Sequence, residues 1–367
     1  MTADEYKERT RDSRIYFNIS DNEKNVEREE EKDILVRHRN LYGEYCSIII
    51  LNRDGIDYTK KCIQSIYENT KNLSYEIIII DNCSKDKRDI DGLKEIVEKV
   101  LPCEMKIMLL KRETGFGDAN NQGIWEVLNK IKEKKDDKNK YIVIMNNDTE
   151  IITDNWLQKL IETMKNDPKI GIVGCQLIFQ NGKIQHAGGK IDTKGETRHI
   201  GYKKEQSEET NGIYDVDYIT GALMVIKRDV IDKIGGFDSE TFQYYYEDVD
   251  YCLRAKELDY RVVYCGNVKV IHHEGITTNR FHPTITPRNV FVRKWNDKFT
   301  YDGRISNNID NIRNFVIKGY RDVLKRDPDS VGLHHYIDHI YSGNITKDRF
   351  LEILRTSEEY KIRFGNT

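Results

Sequence analysis

The densest acidic group in the chain is YYYEDVDYCLR at 244–254, where Glu247 and Asp248 follow three tyrosines. A carboxylate so placed can take a proton from a hydroxyl nucleophile, a role worth about 10²–10⁴ in rate, and aromatic faces suit sugar rings. The same pair opens a helical pattern, where the helix dipole favours carboxylates, so capping alone would also account for it. A second chemical group is His272 and His273, which follow the apolar run VKVI and precede Glu274 and Gly275. There is no H-E-x-x-H and no cysteine pair beside these histidines, so zinc is not indicated. A single His joined to carboxylates from distant segments instead suits Mn²⁺ or Mg²⁺ held together with a substrate diphosphate.

Polar residues also gather where strand-like runs end. Asn52 closes CSIIILN, Asp81 closes YEIIIID, the 112–120 loop follows MKIMLL, and Asn146 to Asp148 close YIVIMNND. Each residue alone is an ordinary turn former. In an open parallel sheet, however, ligands lie beyond the carboxyl ends of the strands, and four such ends together point to a nucleotide pocket. The stretch TGFGDANNQG (114–123) has glycines at 115, 117 and 123, the wrong spacing for G-x-G-x-x-G. It reads as a strand-to-helix turn whose N–H groups could approach a phosphate. P-loop and G-x-S-x-G motifs are absent.

The elements that must hold these residues alternate. Continuous apolar strands at 46–52, 75–81, 105–110 and 141–146 are separated by helical patterns at 57–70 and 120–131, the signature of a parallel sheet covered on both faces. Downstream, 170–179 reads as a strand, 186–201 as turn-rich, and 216–237 as strand then helix. Residues 248–258 read as a helix and 260–275 as two short strands. Residues 1–43 are charge-dense (DNEKNVEREEEKD) and read as a solvated helix or a disordered arm. Over 311–367, three helical faces recur: Val316, Tyr320, Val323 and Leu324; Leu333, Tyr336, Ile337, Ile340 and Tyr341; Phe350, Leu351 and Leu354 after a Thr346 cap. The domain expectation is therefore an arm at 1–43, an α/β domain at 44–305 and a helical module at 311–367.

Composition narrows the classes. The 367 residues carry 59 basic and 62 acidic side chains, a net charge of −3, without the basic field that would neutralise a nucleic-acid backbone. Charged residues make up 33% of the chain, against about 25% in an average domain. The longest apolar runs, 47–51 and 77–80, fall far short of the roughly 20 residues that span a bilayer. No secretory signal opens the chain. Seven cysteines with no C-x-x-C pair suit a reducing cytoplasm, and the expected localisation is cytoplasmic or peripheral at the inner membrane.

Taken in order, SIIILNRDG, EIIIIDNCSKD, TGFGDANNQGI, YIVIMNNDTEI, VDYITGALMVIKRDVIDKIGGFD, YYYEDVDYCLRAKELDYRVVY and VIHHEG resemble the family-2 glycosyltransferases of the GT-A fold, especially their rhamnosyltransferase-like bacterial branch. The resemblance covers about residues 45–295. It implies an α/β, Rossmann-like nucleotide-diphospho-sugar transferase fold with a mixed sheet and flanking helices, joined to a small all-α module. It further implies that Asp81 contacts the nucleobase, with Asn52, Arg112, Gly115, Asn120 and Asn147 lining the nucleotide-sugar pocket and Gly221 beside the acceptor. Asp148 would take the metal position of the family's D-x-D motif, and His272, of an H-x-x-G pattern, would complete the metal site. Asp248 would be the general base and Glu247 its support. Two positions depart from the pattern: Asn146 stands where D-x-D has its first Asp, and Glu113 replaces the Asn that usually precedes Gly-Phe. The neighbouring His273 leaves the choice of metal ligand open. Residues 315–360 resemble a helical module of unknown function from bacterial surface and glycosylation proteins, with recognisable R-D-P-D-x-x-G-L and S-x-E-Y elements.

The expectation is an inverting, metal-dependent hexosyltransferase-type glycosyltransferase using Mn²⁺ or Mg²⁺. It would take a nucleotide-diphosphate sugar donor and a glycan, lipid-linked or protein acceptor in polysaccharide or glycoconjugate synthesis. Direct displacement needs a base but no enzyme nucleophile, consistent with the missing Ser and Cys motifs. The C-terminal module would dock a protein partner or the acceptor. Two alternatives stand beside this: a non-catalytic sugar-nucleotide or glycan-binding protein on the same fold, and a sugar-nucleotide pyrophosphorylase. The latter should carry a Gly-rich basic loop after the first strand, where LNRDGIDYTKK has one Gly.

Overall fold

The structure, a computed structural model, describes residues 14–17, 45–71, 73–98, 103–134, 138–192, 195–273, 287–295, 304–341 and 345–365. These divide into two compact units, one within 1–190 and 197–280, the other within 191–196 and 281–367.

The first unit opens with strand β1 (Arg14–Phe17), then alternates β2 (Tyr45–Asn52), helix α1 (Ile56–Asn69), β3 (Ser74–Asp81), α2 (Lys87–Glu98), β4 (Glu104–Leu110), α3 (Phe116–Lys134) and β5 (Asn139–Asn146). Strands β2 to β5 pair in parallel, as runs such as IIIL and EIIII require when both faces are covered. Helix α1 turns Ile56, Cys62, Ile63 and Ile66 onto the sheet. Helix α3 lies so close to β2 that a Cβ on Gly123 would sit 2.7 Å from Ile49. Ile48, Ile49 and Ile50 are fully buried, and each such side chain contributes about 1.5–3 kcal/mol.

The chain continues through β6 (Thr149–Ile151), α4 (Trp156–Asn166), β7 (Ile170–Ile178), β8 (Ile184–His186), β9 (Gly189–Ile191), β10 (Thr197–His199), β11 (Ile213–Asp215), β12 (Leu223–Lys227), α5 (Arg228–Ile234), α6 (Glu247–Glu257) and β13 (Arg261–His272). The main sheet runs β1-β4-β3-β2-β5-β12-β7-β13-β11. Strand β12 inserts antiparallel between β5 and β7, which makes the sheet mixed.

Three sequence expectations are corrected. Residues 14–17 of the charged arm form an antiparallel edge strand on β4; the rest of 1–43 lies outside the described residues. Residues 261–272 form one long strand, with a register shift between Cys265 and Lys269 where two strands were expected; the bulge keeps the pairing to β7 on both sides. The turn-rich stretch at 186–201 contains the end of β8 and two short strands, β9 and β10, whose few residues are too short to show a period.

The second unit contains α7 (Pro287–Lys294), α8 (Arg304–Leu324), α9 (Ser330–Tyr341), α10 (Lys347–Thr356) and α11 (Glu358–Phe364). Val316, Leu324, Phe350 and Leu354 build a separate core, and Thr346 caps α10 by accepting from Arg349 N–H at 3.1 Å. Its two recognisable sequence elements meet: Arg326 of R-D-P-D donates twice to Glu359 of S-x-E-Y, both at 2.6 Å. No described helix is long and apolar enough to cross a membrane.

Candidate active site

Parallel register aligns the strand ends. Asn52 pairs with Asp81, and Leu51 with Asn146, so the last residues of β2, β3 and β5 stand side by side. Asn52 is fully buried and its amide is taken up by the protein. Its Nδ2 donates to Asp81 Oδ1 (2.7 Å), while its Oδ1 accepts from Thr59 Oγ1 (2.6 Å) and Asn147 Nδ2 (3.2 Å). Asn52 and Asn147 therefore act as braces between strand ends. Asp81 also accepts from Ser84 Oγ (2.6 Å) and, through Oδ2, from Ser84 N–H (3.0 Å); Oδ2 keeps a further lone pair.

The next residue, Asn82, exchanges bonds with Thr114, its Nδ2 to Thr114 O at 2.8 Å and Thr114 N to its Oδ1 at 2.9 Å. That pins the loop between β4 and α3. Here Glu113 receives a two-pronged ion pair from Arg53, one bond being Nη2 to Oε2 at 2.7 Å. The departure at 113 thus has a partner that sequence reading missed, 60 positions away. Arg112 is exposed. Asn120 is fully buried in α3, with Nδ2 on Phe116 O (2.9 Å). Gly115 passes against the approach to α6: a Cβ there would lie 2.2 Å from the Gln243 carbonyl oxygen.

That approach is strained. Tyr245 and Tyr246 both have φ of 68°, a left-handed conformation that bulky residues seldom adopt. The turn delivers Glu247 and Asp248 to the start of α6. Asp248 Oδ2 accepts from Gly221 N–H (2.9 Å) and Oδ1 from Val249 N–H (2.8 Å). Burial raises the Asp248 carboxyl, against which those N–H groups and the nearby His199 act. Burial, and then the charge of Asp248, push Glu247 up to about 8; its Oε2 has no partner among the described residues. Burial and mutual repulsion favour a single negative charge on this pair, and the two N–H groups at Asp248 favour its carrying that charge. Gly221 also abuts Phe116, whose ring lies 2.6 Å from where its Cβ would be.

The third corner comes from β6 pairing with β13, Thr149 opposite His272. Asp148 Oδ1 lies 3.1 Å from His272 Nε2, and Asn146 Nδ2 is 3.4 Å from the same nitrogen. His273 donates its backbone N–H to the Asp148 carbonyl at 2.9 Å, while its ring is engaged by Gln180 (2.7 Å) and Glu150 (3.3 Å). Of the two histidine rings, that of His272 is the one beside the Asp148 carboxylate. His272 Nδ1 lies 2.6 Å from Gln185 Oε1, so Nε2 presents a lone pair to the carboxylate when the ring is neutral. Two acceptors at that distance suit a shared cation. Among the described residues, no three His, Cys, Asp or Glu side chains converge as a metal site. Asp148 and His272 are of the donor types that could hold a hard divalent ion, with phosphate oxygens and water completing its coordination. Burial pushes the nearby Cys62 thiol up to about 12, and its sulfur lies 3.6 Å from Thr149 Oγ1.

The model of "Glycosyl transferase family 2" matches residues 47–235, and "Domain of unknown function (DUF4214)" matches 300–364. The chain is 26% identical over 235 residues to the O-antigen biosynthesis protein RfbC of Myxococcus xanthus, covering 62% of this chain and 17% of that one. It is likewise 26% identical to the rhamnosyltransferase WbbL of Escherichia coli, covering 62% of this chain and 82% of the relative. The chain thus spans only a minor part of the much longer Myxococcus protein. Among solved structures, GalNAc-T7 with UDP, GalNAc and Mn²⁺ superposes with a TM-score of 0.55 at 15% identity, over 87% of this chain and 57% of that one. That likeness establishes a GT-A fold.

Proposed function

This chain belongs to glycosyl transferase family 2, and from that premise we propose that it transfers a sugar from a nucleotide-diphosphate donor to an acceptor hydroxyl with inversion. The observation that carries this is the dipeptide Gly221–Ala222. Gly221 N–H holds the Asp248 carboxylate (2.9 Å), and Ala222 O receives Asn146 N–H (3.0 Å) from the turn that bears Asp148. Adjacent backbone groups therefore anchor both the base and the acidic turn.

Asp81, oriented by Asn52 and Ser84, accepts from the nucleobase, and the 112–120 loop borders the nucleotide. Asp148 and His272 would hold Mn²⁺ or Mg²⁺, which when bound would supply positive charge to stabilise a diphosphate leaving group. Asp248 accepts the proton of the acceptor hydroxyl, whose oxygen attacks the anomeric carbon from the face opposite the diphosphate. Glu247, kept neutral by burial, avoids a second charge beside the base. Exposed Tyr245 offers a ring face to the acceptor sugar. We place the reaction in bacterial polysaccharide or glycoconjugate synthesis on the cytoplasmic side, where nucleotide sugars and the seven free thiols coexist. The glycosyltransferase domain is read as 44–305 and the helical module, as a docking unit, as 311–367.

The test is a panel of nucleotide sugars with Mn²⁺, Mg²⁺ or EDTA, reading released nucleoside diphosphate. Metal-dependent release from one donor, lost in Asp148→Ala, is expected. Metal-linked donor binding without turnover, in the presence of acceptor, would favour a non-catalytic sugar-nucleotide binder instead.

A further inference from the structure

We propose that Gln185 is a positioning residue that fixes the ring of His272 with its proton on Nδ1, so that Nε2 is always the nitrogen offered beside Asp148. The inference rests on the reading of Asp148 and His272 as a cation site and adds a residue that neither the sequence motifs nor the relatives single out.

Gln185 lies in β8 and is 3% exposed. Its backbone is held from both sides. Strand β8 pairs with β7 through His186 opposite Leu177 and Ile184 opposite Ile178, and Ile184 exchanges bonds with the 203–204 turn at 2.7 and 2.9 Å. His199 Nδ1 lies 3.2 Å from the Gln185 carbonyl. The side chain is therefore presented from a fixed base rather than from a loop.

Its amide makes two contacts with one residue. Nε2 donates to the His272 carbonyl at 3.4 Å, and Oε1 lies 2.6 Å from His272 Nδ1. A backbone carbonyl can only accept, so the amide NH₂ must face it, and Oε1 must then face the ring. An amide oxygen can only accept as well, so Nδ1 carries its hydrogen in both the neutral and the cationic ring. The proton that must leave for a cation to bind is therefore the one on Nε2, 3.1 Å from Asp148 Oδ1. Partners of this kind behind a ligating histidine typically govern 10–100-fold in metal affinity.

The logic specifies which replacements should work. Glu in place of Gln keeps an acceptor at the same reach and, with its other oxygen protonated, a donor to the His272 carbonyl, whereas Leu keeps the bulk and loses both. The experiment is Mn²⁺ titration of the full-length chain by electron paramagnetic resonance, alone and with UDP, dTDP or GDP, for wild type, Asp148→Ala, Gln185→Leu and Gln185→Glu. Melting temperatures would be recorded alongside. Gln185→Leu should weaken Mn²⁺ binding about 10–100-fold while Gln185→Glu stays within a few-fold of wild type. Equal binding by wild type and Gln185→Leu, or equal loss in Leu and Glu variants that melt as wild type does, would overturn the role of Gln185 while leaving the cation site standing. Wild-type binding indifferent to Asp148→Ala would instead remove the cation reading itself. A second measurement does not depend on the Leu variant folding. Long-range ¹⁵N correlation of the imidazoles, with His272 assigned by its loss in His272→Gln, should show Nδ1 protonated at neutral pH; an Nε2–H tautomer would refute the proposal.

Discussion

Glu247 and Asp248 are neighbours in sequence with opposite electrostatic duties. Asp248 is held by the N–H groups of Gly221 and Val249, which favour its charged form, while the Glu247 Oε2 has no partner among the described residues. Replacing Asp248 by Asn keeps the shape and removes the proton acceptor. Transfer should fall by about 10²–10⁴ with donor affinity little changed, measured as initial rate against donor Kd. The Glu247 shift makes a separate statement about stability. With its carboxyl at about 8 in the fold against an ordinary 4.5, the folded chain keeps a proton that the unfolded chain releases between those values. Its contribution is thus most favourable at the acid end and declines as pH rises from about 4.5 to 8. Glu247→Gln mimics the neutral form at every pH, so the drop in melting temperature between pH 5 and 8 should be smaller than in wild type.

The site is assembled by elements that meet edge to edge. The loop between β4 and α3 is tied to β3 by Asn82 and Thr114, to β2 by Arg53 and Glu113, and presses on Gln243 through Gly115. It couples the ends of β2 and β3 to the strained turn before α6. A methyl at Gly115 would lie 2.2 Å from a backbone oxygen, and backbone cannot rotate away as a side chain can. Gly115→Ala should cost about 1–3 kcal/mol and displace Asp248. The checks are the denaturation midpoint together with kcat, which should fall more than donor binding. The short pairing of β6 with β13 does comparable work at the opposite corner, because it brings the end of β13 beside the turn that carries Asp148, whose carboxylate meets the His272 ring.

At the scale of the whole chain, two units each have their own interior. In the C-terminal unit Phe350 is fully buried, and its ring lies 2.6 Å from where a Cβ on Gly319 would be, so the α8–α10 contact depends on both residues. Phe350→Ala should cost about 3–5 kcal/mol in that unit alone. In the full-length chain this predicts that a C-terminal unfolding transition moves down in calorimetry while donor hydrolysis is retained. If acceptor transfer is lost in the same variant, the helical unit contributes to acceptor use; equal loss of hydrolysis and transfer would reject a docking role.

The alternation of strand and helix over 46–146 was legible because buried parallel strands must be apolar throughout and their helices amphipathic. Asp81 and Asp148 were legible as polar residues at the ends of such runs, Asp248 as one of two carboxylates opening a helical pattern, and the Thr346 cap by its position before another. These are local properties, written in neighbouring residues. The Arg53–Glu113 pair and the bond between Gln185 and His272 join residues 60 and 87 positions apart, and no periodicity encodes which distant side chain arrives. The short strands at 184–199 hold too few residues to display an alternation, so Gln185 resembled any turn residue. Residue chemistry and element type thus follow from the sequence by itself. Which histidine ring faces Asp148, and which of two adjacent carboxylates receives the N–H groups of Gly221 and Val249, follow only from tertiary packing, because both depend on groups that the fold alone brings within hydrogen-bonding distance.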